Sequence, residues 1–227
     1  MNIGATTVGG MINNVKTFAS VLMPGVQHMR HTHLPEHKFV KGQPETGVEL
    51  AEDLERIAMN FGGENIAACI VEPIAGSTGT LVPPKGYLKR LREICDKHGI
   101  LLIFDEVITG WGRTGSAFAA QEWGVTPDIM TMAKATTNGV VPMGVVAVKE
   151  EMYDAVLDAS KAPEGTPELF HGYTYSAIPV AVAAALAVQD IFDKEDIFKR
   201  AKEMSPYLQD GLQSLKDLTD VVSIRGY

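Results

Sequence analysis

The sequence predicts an α/β fold in which helices flank a mostly parallel β-sheet. Three short runs, at residues 66–71, 100–104 and 129–133, are predicted to be strands. The apolar run 100–104 is too short for a free-standing helix and has the composition of a strand buried on both faces. A segment with apolar residues at helical spacing separates the first run from the second. Because a strand, a helix and a strand in succession normally form a right-handed crossover between parallel neighbours, we expect the three strands to lie side by side.

Two amphipathic helices are predicted, one before and one after the first strand in the sequence. The first covers residues 48–61 and ends at Gly62, and the second starts near Gly86 and ends at His98 and Gly99. Each places its apolar residues on one face, as a helix that packs on a sheet requires. These faces consist of Leu50, Leu54, Ile57 and Phe61 in the first helix and of Leu88, Leu91, Ile94 and Cys95 in the second.

The carboxyl-terminal part of the chain is predicted to be mainly helical. A fourth strand at residues 145–148 precedes it, and this strand can run in either direction because its link to the third strand is too short for a crossover helix. Helices are expected from Pro179 onward and across residues 196–218, where Pro206 should kink or interrupt the helix. The composition of residues 221–224 predicts a final strand.

Composition and charge limit the class of protein. The chain has 227 residues and 45% hydrophobic content, enough for one large α/β domain or for one domain plus a fragment. Its net charge is −8, and its 28 acidic and 20 basic residues form no long block, so we expect no nucleic-acid partner. The longest apolar run, residues 178–188, is far shorter than the ~20 residues of a membrane-spanning helix. We therefore expect no membrane partner.

The cysteines indicate the compartment. Cys69 lies in a predicted strand and Cys95 on the apolar face of a predicted helix. Two thiols in such positions are typical of a reducing cytosol and not of a disulfide framework. The amino terminus has neither the basic segment nor the apolar segment of a secretory signal. We therefore expect a cytoplasmic protein.

Two patterns that mimic binding sites are better interpreted as loops. A glycine-rich turn at residues 77–79 follows a strand, but it lacks the rest of a phosphate-binding fingerprint. Four histidines near the amino terminus have no accompanying cysteine and fit no common zinc spacing, and Pro35 breaks any helix that would align them. We therefore predict no metal site. The four histidines are His28, His31, His33 and His37.

Three ionisable residues, Glu72, Asp105 and Lys134, follow the three predicted strands. Open α/β sheets bind ligands at the carboxyl ends of their strands, so we expect these side chains to converge there. A carboxylate at that edge can keep a pyridine nitrogen protonated and a lysine can form a Schiff base, so Asp105 and Lys134 predict a pyridoxal phosphate site. The alternatives are a cap or ion-pair role for Asp105 and a solvated position for Lys134. For Glu72 a structural role beside a buried cation is an equal alternative.

Six ordered motifs carry a resemblance to a known enzyme family. The two that surround the predicted site run through Asp105 and through Lys134. The motifs are VEPIAGS at 71–77, PKGYLKRLR at 84–92, FDEVITGWGRTG at 104–115, MAKATTNG at 132–139, VPMGVVA at 141–147 and HGYTYS at 171–176.

Together these motifs resemble the class III aminotransferases, which are fold-type I enzymes that use pyridoxal phosphate, and in particular their ω-amino acid:pyruvate branch. The resemblance implies a fold-type I architecture and a ping-pong transfer of an amino group from a β-alanine-like ω-amino acid to pyruvate or a similar keto acid. It also implies a homodimer or a higher homo-oligomer. The alternatives are a class III enzyme for ornithine, 4-aminobutyrate or diamines, an aminomutase, and a non-catalytic remnant.

The resemblance also assigns roles to five residues. Lys134 matches the Schiff-base lysine, which moves a proton between the substrate carbon and the C4′ carbon of the cofactor. Asp105 matches the partner of the pyridinium nitrogen. Val107, two residues further along the strand, matches a side chain that packs on the ring face, with a plain core valine as the alternative. Thr174 matches a threonine that reaches across a dimer to the phosphate of the partner's cofactor, and Glu72 matches a supporting acid at the adjacent strand end.

By the same resemblance, residues 1–195 belong to the large cofactor-binding domain and residues 196–227 begin the small carboxyl-terminal domain. Residue 1 corresponds to the interior of a family member. The family's phosphate-binding turn and its arginine for the substrate carboxylate would then lie outside these 227 residues. We therefore expect a fragment of a longer enzyme, or a truncated gene product, that is inactive alone.

Overall fold

The computed structural model describes residues 3–160 and 171–227. Within them the sheet consists of β1 (Ala68–Val71), β2 (Leu101–Asp105), β3 (Ile129–Met132) and β4 (Val145–Val148), in that order. Strands β2 and β3 are parallel, as predicted, with Asp105 beside Thr131. Strand β4 is antiparallel to β3, with Val145 beside Met132, which settles the direction that the sequence left open.

Eight helices accompany the sheet in the described part of the chain. Four of them were not predicted. These are the helices at Ile3–Val8, Ile12–Thr17 and Ala119–Glu122, which have only four to six residues, and the helix at Glu150–Ala159. Within residues 3–160 and 171–227, no helix combines the length and apolarity needed to cross a lipid bilayer. The helices are α1 (Ile3–Val8), α2 (Ile12–Thr17), α3 (Glu52–Phe61), α4 (Tyr87–His98), α5 (Ala119–Glu122), α6 (Glu150–Ala159), α7 (Pro179–Lys194) and α8 (Ile197–Gln213), with short 3-10 turns at Ala19–Val21, Pro35–His37, Val48–Ala51, Gly63–Asn65 and Lys134–Thr136.

The chain divides into two compact units, and the divisions fall inside β2 and inside α8. The first unit contains the residues up to Leu102 together with Pro206–Tyr227, and the second contains Ile103–Ser205. The predicted start of a small domain at residue 196 stays a prediction.

The apolar faces of α3 and α4 form the core of the first unit. Gly86 and Gly99, with φ of 81° and 68°, bound α4 as predicted. Phe61 departs from the prediction and is 53% exposed, because it is the last residue of α3 and Gly62 then turns the chain away. Each buried side chain of this type stabilises the fold by about 1.5–3 kcal/mol. The predicted core residues that are buried are Leu50, Leu54, Ile57, Leu88, Leu91, Ile94 and Cys95.

Two predictions for the carboxyl-terminal region need correction. Helix α8 continues unbroken through Pro206, so the predicted interruption does not occur. Residues 221–224 do not form a strand. The backbone N–H of Ile224 donates a single hydrogen bond of 2.7 Å to the Lys38 carbonyl. Because Lys38 lies in an irregular segment, no strand is available there to extend this bond into a ladder.

Candidate active site

Asp105 is the last residue of β2 and is half-buried at the carboxyl end of the strand. Its Oδ1 accepts a hydrogen bond of 3.0 Å from the backbone N–H of Val107, an Asx-type contact that turns the chain after the strand. Among the described residues, no donor bonds to its other oxygen, Oδ2. The carboxylate is therefore oriented by its own turn and keeps one oxygen that can accept a hydrogen bond from a ligand.

Lys134 begins the short turn that follows β3, and its backbone is strained. Its φ of 45° lies in the left-handed region, which costs a non-glycine residue about 1–3 kcal/mol. The turn is closed by the backbone N–H of Thr136, which donates to the Ala133 carbonyl at 3.0 Å. The Lys134 side chain is exposed, and its amine forms no ion pair or hydrogen bond with any residue that the structure describes. Such strain is typical of functional positions.

Asp105 and Lys134 emerge at the same edge of the sheet because β2 and β3 are parallel. Asp105 lies beside Thr131, and Lys134 follows three residues after that neighbour. The backbone N–H of Glu106 donates to the Thr131 carbonyl at 2.9 Å and extends the pairing beyond the strand end. No hydrogen bond or ion pair joins Asp105 to Lys134. An accepting carboxylate and a primary amine at one strand edge fit the pyridine nitrogen and the aldehyde of pyridoxal phosphate.

Glu106 is a buried carboxylate that our sequence interpretation missed. Its Oε2 accepts hydrogen bonds from the Thr109 hydroxyl and the Ala119 N–H, both at 2.8 Å. Its Oε1 accepts one from the Ala120 N–H at 2.8 Å. Burial raises the pKa of Glu106, and these three hydrogen bonds oppose that shift. The carboxylate thereby ties the loop after β2 to the start of α5. The only signal in the sequence was an acid directly after Asp105.

Trp111 connects the same loop to the lysine turn, a contact that no pattern in the sequence predicts. Its indole N–H donates a hydrogen bond of 2.9 Å to the hydroxyl of Thr136. That hydroxyl in turn donates a hydrogen bond of 3.0 Å to the Ala133 carbonyl. The indole packs edge-on against Phe118, with ring centroids 5.0 Å apart, and stacks on Phe192 at 6.2 Å. Thr136 is only 3% exposed. The turn that carries Lys134 is therefore anchored by a part-buried hydrogen bond.

Val107 lies in the turn after β2 and not in the strand. Because β2 ends at Asp105, the alternation along a strand that we used to place Val107 on the same side as Asp105 does not apply. The residue is half-buried, and its backbone N–H orients the aspartate. The packing of Val107 against a cofactor ring stays a prediction.

Thr174 lies in an exposed turn at residues 174–177. The turn is fixed by two hydrogen bonds of 2.9 Å, from the Tyr173 N–H to the Ser176 hydroxyl and from the Ser176 N–H to the Tyr173 carbonyl. The Thr174 hydroxyl bonds to no described residue. Its contact with the phosphate of a partner's cofactor stays a prediction.

Glu72 follows β1 and belongs to the first unit. It is half-buried, and its Oε2 accepts a hydrogen bond of 2.9 Å from the Gly76 N–H, which closes the turn after the strand. The neighbouring glycine-rich turn is held by Arg225, whose Nε–H donates 2.9 Å to the Gly79 carbonyl. These are the contacts of structural turns. The convergence of Glu72 with Asp105 and Lys134 stays a prediction.

The chain is similar to curated aminotransferases along its whole length. It is 55% identical over 226 residues to an omega-aminotransferase of Caulobacter vibrioides, a match that covers 99% of this chain and 51% of that protein. It is 47% identical to the beta-alanine–pyruvate aminotransferase of Pseudomonas aeruginosa, over 99% of this chain and 50% of the relative. It is 46% identical to the omega-amino acid–pyruvate aminotransferase of Pseudomonas putida, over 100% of this chain and 50% of the relative. The chain thus spans about half the length of the curated relatives it matches.

Solved structures of transaminases share the fold. A thermostable omega transaminase 6-fold mutant from Pseudomonas jessenii matches with a TM-score of 0.87 and 33% identity over 96% of this chain and 48% of that one. The Pseudomonas jessenii omega transaminase in complex with PMP matches with a TM-score of 0.86 and 33% identity, over 96% of this chain and 47% of that one. The aminotransferase class-III family matches residues 3–227. The chain therefore belongs to the class III aminotransferase family and has a partial fold-type I α/β architecture.

Proposed function

We propose that this chain is part of an enzyme that transfers an amino group from a β-alanine-like ω-amino acid to pyruvate in a ping-pong cycle that uses pyridoxal phosphate. The observation that carries this proposal is the pair of groups at one strand edge, the oriented carboxylate of Asp105 and the unpaired amine of Lys134. The choice of donor and acceptor is supported by the names of the relatives in Pseudomonas aeruginosa and Pseudomonas putida.

Lys134 has two tasks in this proposal. Its amine would hold the cofactor at the aldehyde carbon and, once displaced there by the substrate amine, would move a proton between the substrate carbon and the C4′ carbon. The bound cofactor supplies an electron sink for the negative charge that develops at the substrate carbon. The strained turn holds the lysine at the strand edge, where its amine has no competing partner among the described residues.

The other predicted residues bind and orient the cofactor. Asp105 accepts a hydrogen bond from the pyridine N–H, and its negative charge favours the protonated ring. Val107 contributes an apolar contact to the ring face, and Glu72 supports the site from the neighbouring strand end. Thr174 donates its hydroxyl to the cofactor phosphate of a second copy, so the active form is a homodimer or a higher homo-oligomer.

A reducing cytoplasm is the proposed compartment. Cys69 and Cys95 are both buried and form no disulfide within the described residues, which suits a protein that is stable without disulfides.

A diamine is the second candidate donor. The chain is 39% identical to the putrescine–pyruvate aminotransferase of Pseudomonas aeruginosa, over 98% of this chain and 48% of that protein. The lower identity compared with the ω-amino acid relatives favours a β-alanine-like donor. Parallel assays with β-alanine, 4-aminobutyrate, ornithine and putrescine distinguish these donors.

The proposal is tested by replacing the lysine in the full-length enzyme. Lys134→Ala should reduce the conversion of pyruvate to alanine on the order of 1,000-fold, because the proton-transferring group is lost. Lys89→Ala is the matched control, since Lys89 is exposed on α4 and should leave the rate unchanged. A Lys134→Ala protein that keeps the wild-type rate contradicts the proposal.

A further inference from the structure

The Thr136 hydroxyl has two partners, and together they fix the lysine turn. It donates to the Ala133 carbonyl at 3.0 Å and accepts the indole N–H of Trp111 at 2.9 Å. A threonine hydroxyl carries one hydrogen and rotates to suit its neighbours, so a donor on its acceptor side determines where that hydrogen points. The indole N–H therefore directs the hydroxyl hydrogen onto Ala133, the residue directly before Lys134.

Trp111 is itself held firmly enough to act as an anchor. Its backbone adopts a φ of 60°, in the left-handed region, and its backbone N–H donates a hydrogen bond of 2.6 Å to the Ala117 carbonyl. Its ring is in contact with Phe118 on one side and with Phe192 of α7 on another. The loop that carries it is tied down by the buried carboxylate of Glu106. The donor position is thus set by contacts independent of the lysine turn.

The backbone of Lys134 needs such an anchor. Its φ of 45° is a sparsely populated conformation for a residue with a side chain, and it persists only where the surroundings fix it. The backbone bonds that close the turn are ordinary, at 3.0 Å for the Thr136 N–H and 3.4 Å for the Thr137 N–H. The part-buried hydrogen bond from Trp111 adds a constraint that links the turn to the loop after β2.

We infer that Trp111 is a positioning residue for Lys134. Its indole N–H, acting through the hydroxyl of Thr136, fixes the left-handed turn and hence the direction in which the lysine amine leaves the strand edge. This inference rests on the proposed function, because the positioned amine is the one that binds the cofactor aldehyde. Trp111 itself does not touch the reacting atoms.

Four variants of the intact protein test the inference. Trp111→Phe keeps a ring for the contacts with Phe118 and Phe192 and removes the donor. Thr136→Val removes the hydroxyl at similar volume, whereas Thr136→Ser retains it. Trp123→Phe is the matched control, because Trp123 is the other of the 2 tryptophans in the chain and lies at the end of α5.

The readout is the capture of pyridoxal phosphate by Lys134, independent of turnover. Each protein is incubated with pyridoxal phosphate for short times and reduced with borohydride, and the adduct on the Lys134 peptide is quantified by mass spectrometry. We expect the labelling rate to fall about tenfold in Trp111→Phe and in Thr136→Val, because a small displacement of a reacting group has a large effect on rate. Thr136→Ser and Trp123→Phe should label like the wild type. Thermal unfolding of each protein verifies that it is folded.

The double variant Trp111→Phe/Thr136→Val separates positioning from general packing. Trp111→Phe removes the hydrogen bond to Thr136, and Thr136→Val removes that bond together with the one to Ala133. If Trp111 acts through Thr136, the double variant should label no more slowly than Thr136→Val. Multiplied effects of the two changes would overturn the inference. Wild-type labelling in Trp111→Phe would also overturn it while leaving the proposed function intact. A wild-type protein in which Lys134 takes no label would refute the proposed function, and the positioning role would fall with it.

Discussion

Asp105 of β2 and Thr131 of β3 are direct neighbours in a parallel register, and this pairing decides which groups share one edge of the sheet. Residues that follow two parallel strands emerge at the same edge, so the chain after Asp105 and the chain that leads to Lys134 leave the sheet together. Strand β4 shows the contrast. It runs antiparallel, and its last residue, Val148, lies beside Ile129 at the opposite end of β3.

Replacing Asp105 by Ala should reduce kcat far more than replacing Glu72 by Gln. Asp105 has an accepting oxygen directed by its own turn, whereas Glu72 already accepts a hydrogen bond from Gly76. We expect Asp105→Ala to lower kcat by at least about 100-fold, which corresponds to about 2.7 kcal/mol of activation free energy. Glu72→Gln should lower it less than about tenfold, or about 1.4 kcal/mol. Equal losses of kcat would show that our division of roles between the two acids is wrong.

Replacing Glu106 by Ala should destabilise the fold. The substitution leaves the Thr109 hydroxyl and the N–H groups of Ala119 and Ala120 without their acceptor in a fully buried position. A buried donor without a partner costs about 1–3 kcal/mol, so we expect a loss of at least about 2 kcal/mol. For a chain of this size this lowers the melting temperature by roughly 4–8 °C.

Glu203→Ala is the control for this substitution, since Glu203 is exposed on α8 and its loss should change the stability by less than about 0.5 kcal/mol. Calorimetry of the two variants beside the wild type makes the measurement. A melting temperature that is the same for both variants would contradict a structural role for the Glu106 carboxylate.

The pH dependence of stability should also identify Glu106. Burial raises its pKa above the usual value of 4.5, so between 4.5 and the folded pKa the native protein holds a proton that the unfolded chain has released. In that window the stability falls as pH rises. Glu106→Gln lacks this titration. The wild type minus variant difference in free energy of unfolding, measured with urea, should therefore decrease as pH rises through the window. A difference that is independent of pH would count against the shifted pKa.

The ion pair of Arg30 and Asp53 should have the opposite pH dependence. The side-chain hydrogen bonds of Arg30, at 2.9 Å to each carboxylate oxygen, hold the pKa of Asp53 below its usual value of 3.8. The unfolded chain then binds the proton first, so the stability from this pair is present above 3.8 and is lost as pH falls through the folded pKa.

Arg30→Gln should therefore be less stable than the wild type near neutral pH and should lose less stability on acidification. Urea unfolding at a series of pH values measures both effects. Arg200→Gln is the matched control, because Arg200 is exposed on α8. Parallel stability profiles of the wild type and Arg30→Gln would show that the pair does not shift the pKa of Asp53.

The sequence predicted strand ends better than side-chain contacts. The apolar runs that became β2 and β3 were visible by composition, and their parallel pairing was predicted by the right-handed crossover rule. Asp105 and Lys134 were therefore predictable as residues at one edge of the sheet. Glu106 and the contact between Trp111 and Thr136 were not, because they depend on a loop path that has no periodic pattern.

Local composition misled where tertiary structure decided the outcome. Residues 221–224 have the composition of a strand, but the segment they meet is irregular and offers no ladder of hydrogen bonds. Val107 was placed by alternation along a strand that ends at Asp105. Phe61 continued the helical spacing of α3 but sits at its last turn, where the helix leaves the core. Where a strand or a helix ends, the surroundings of the next side chain change, although the periodic pattern of the sequence continues.

Thr174 should act on the active site of a second copy of the chain. It lies in an exposed turn, and its hydroxyl bonds to no described residue of its own chain. A hydrogen bond to a charged phosphate contributes about 1.5–3 kcal/mol, so Thr174→Ala should weaken pyridoxal phosphate binding about tenfold or more. Activity measured at limiting cofactor makes this loss visible.

Co-expression of Lys134→Ala with Thr174→Ala then tests whether the contact crosses between subunits. In a mixed dimer, one site receives Lys134 from the Thr174→Ala subunit and Thr174 from the Lys134→Ala subunit, so it is intact only if the threonine acts across the interface. We expect activity at limiting cofactor to exceed that of either variant alone. Co-expression of Lys134→Ala with the double variant Lys134→Ala/Thr174→Ala is the control, since neither subunit supplies the lysine. If the first mixture is no more active than its parents, Thr174 serves its own subunit or does not bind the phosphate.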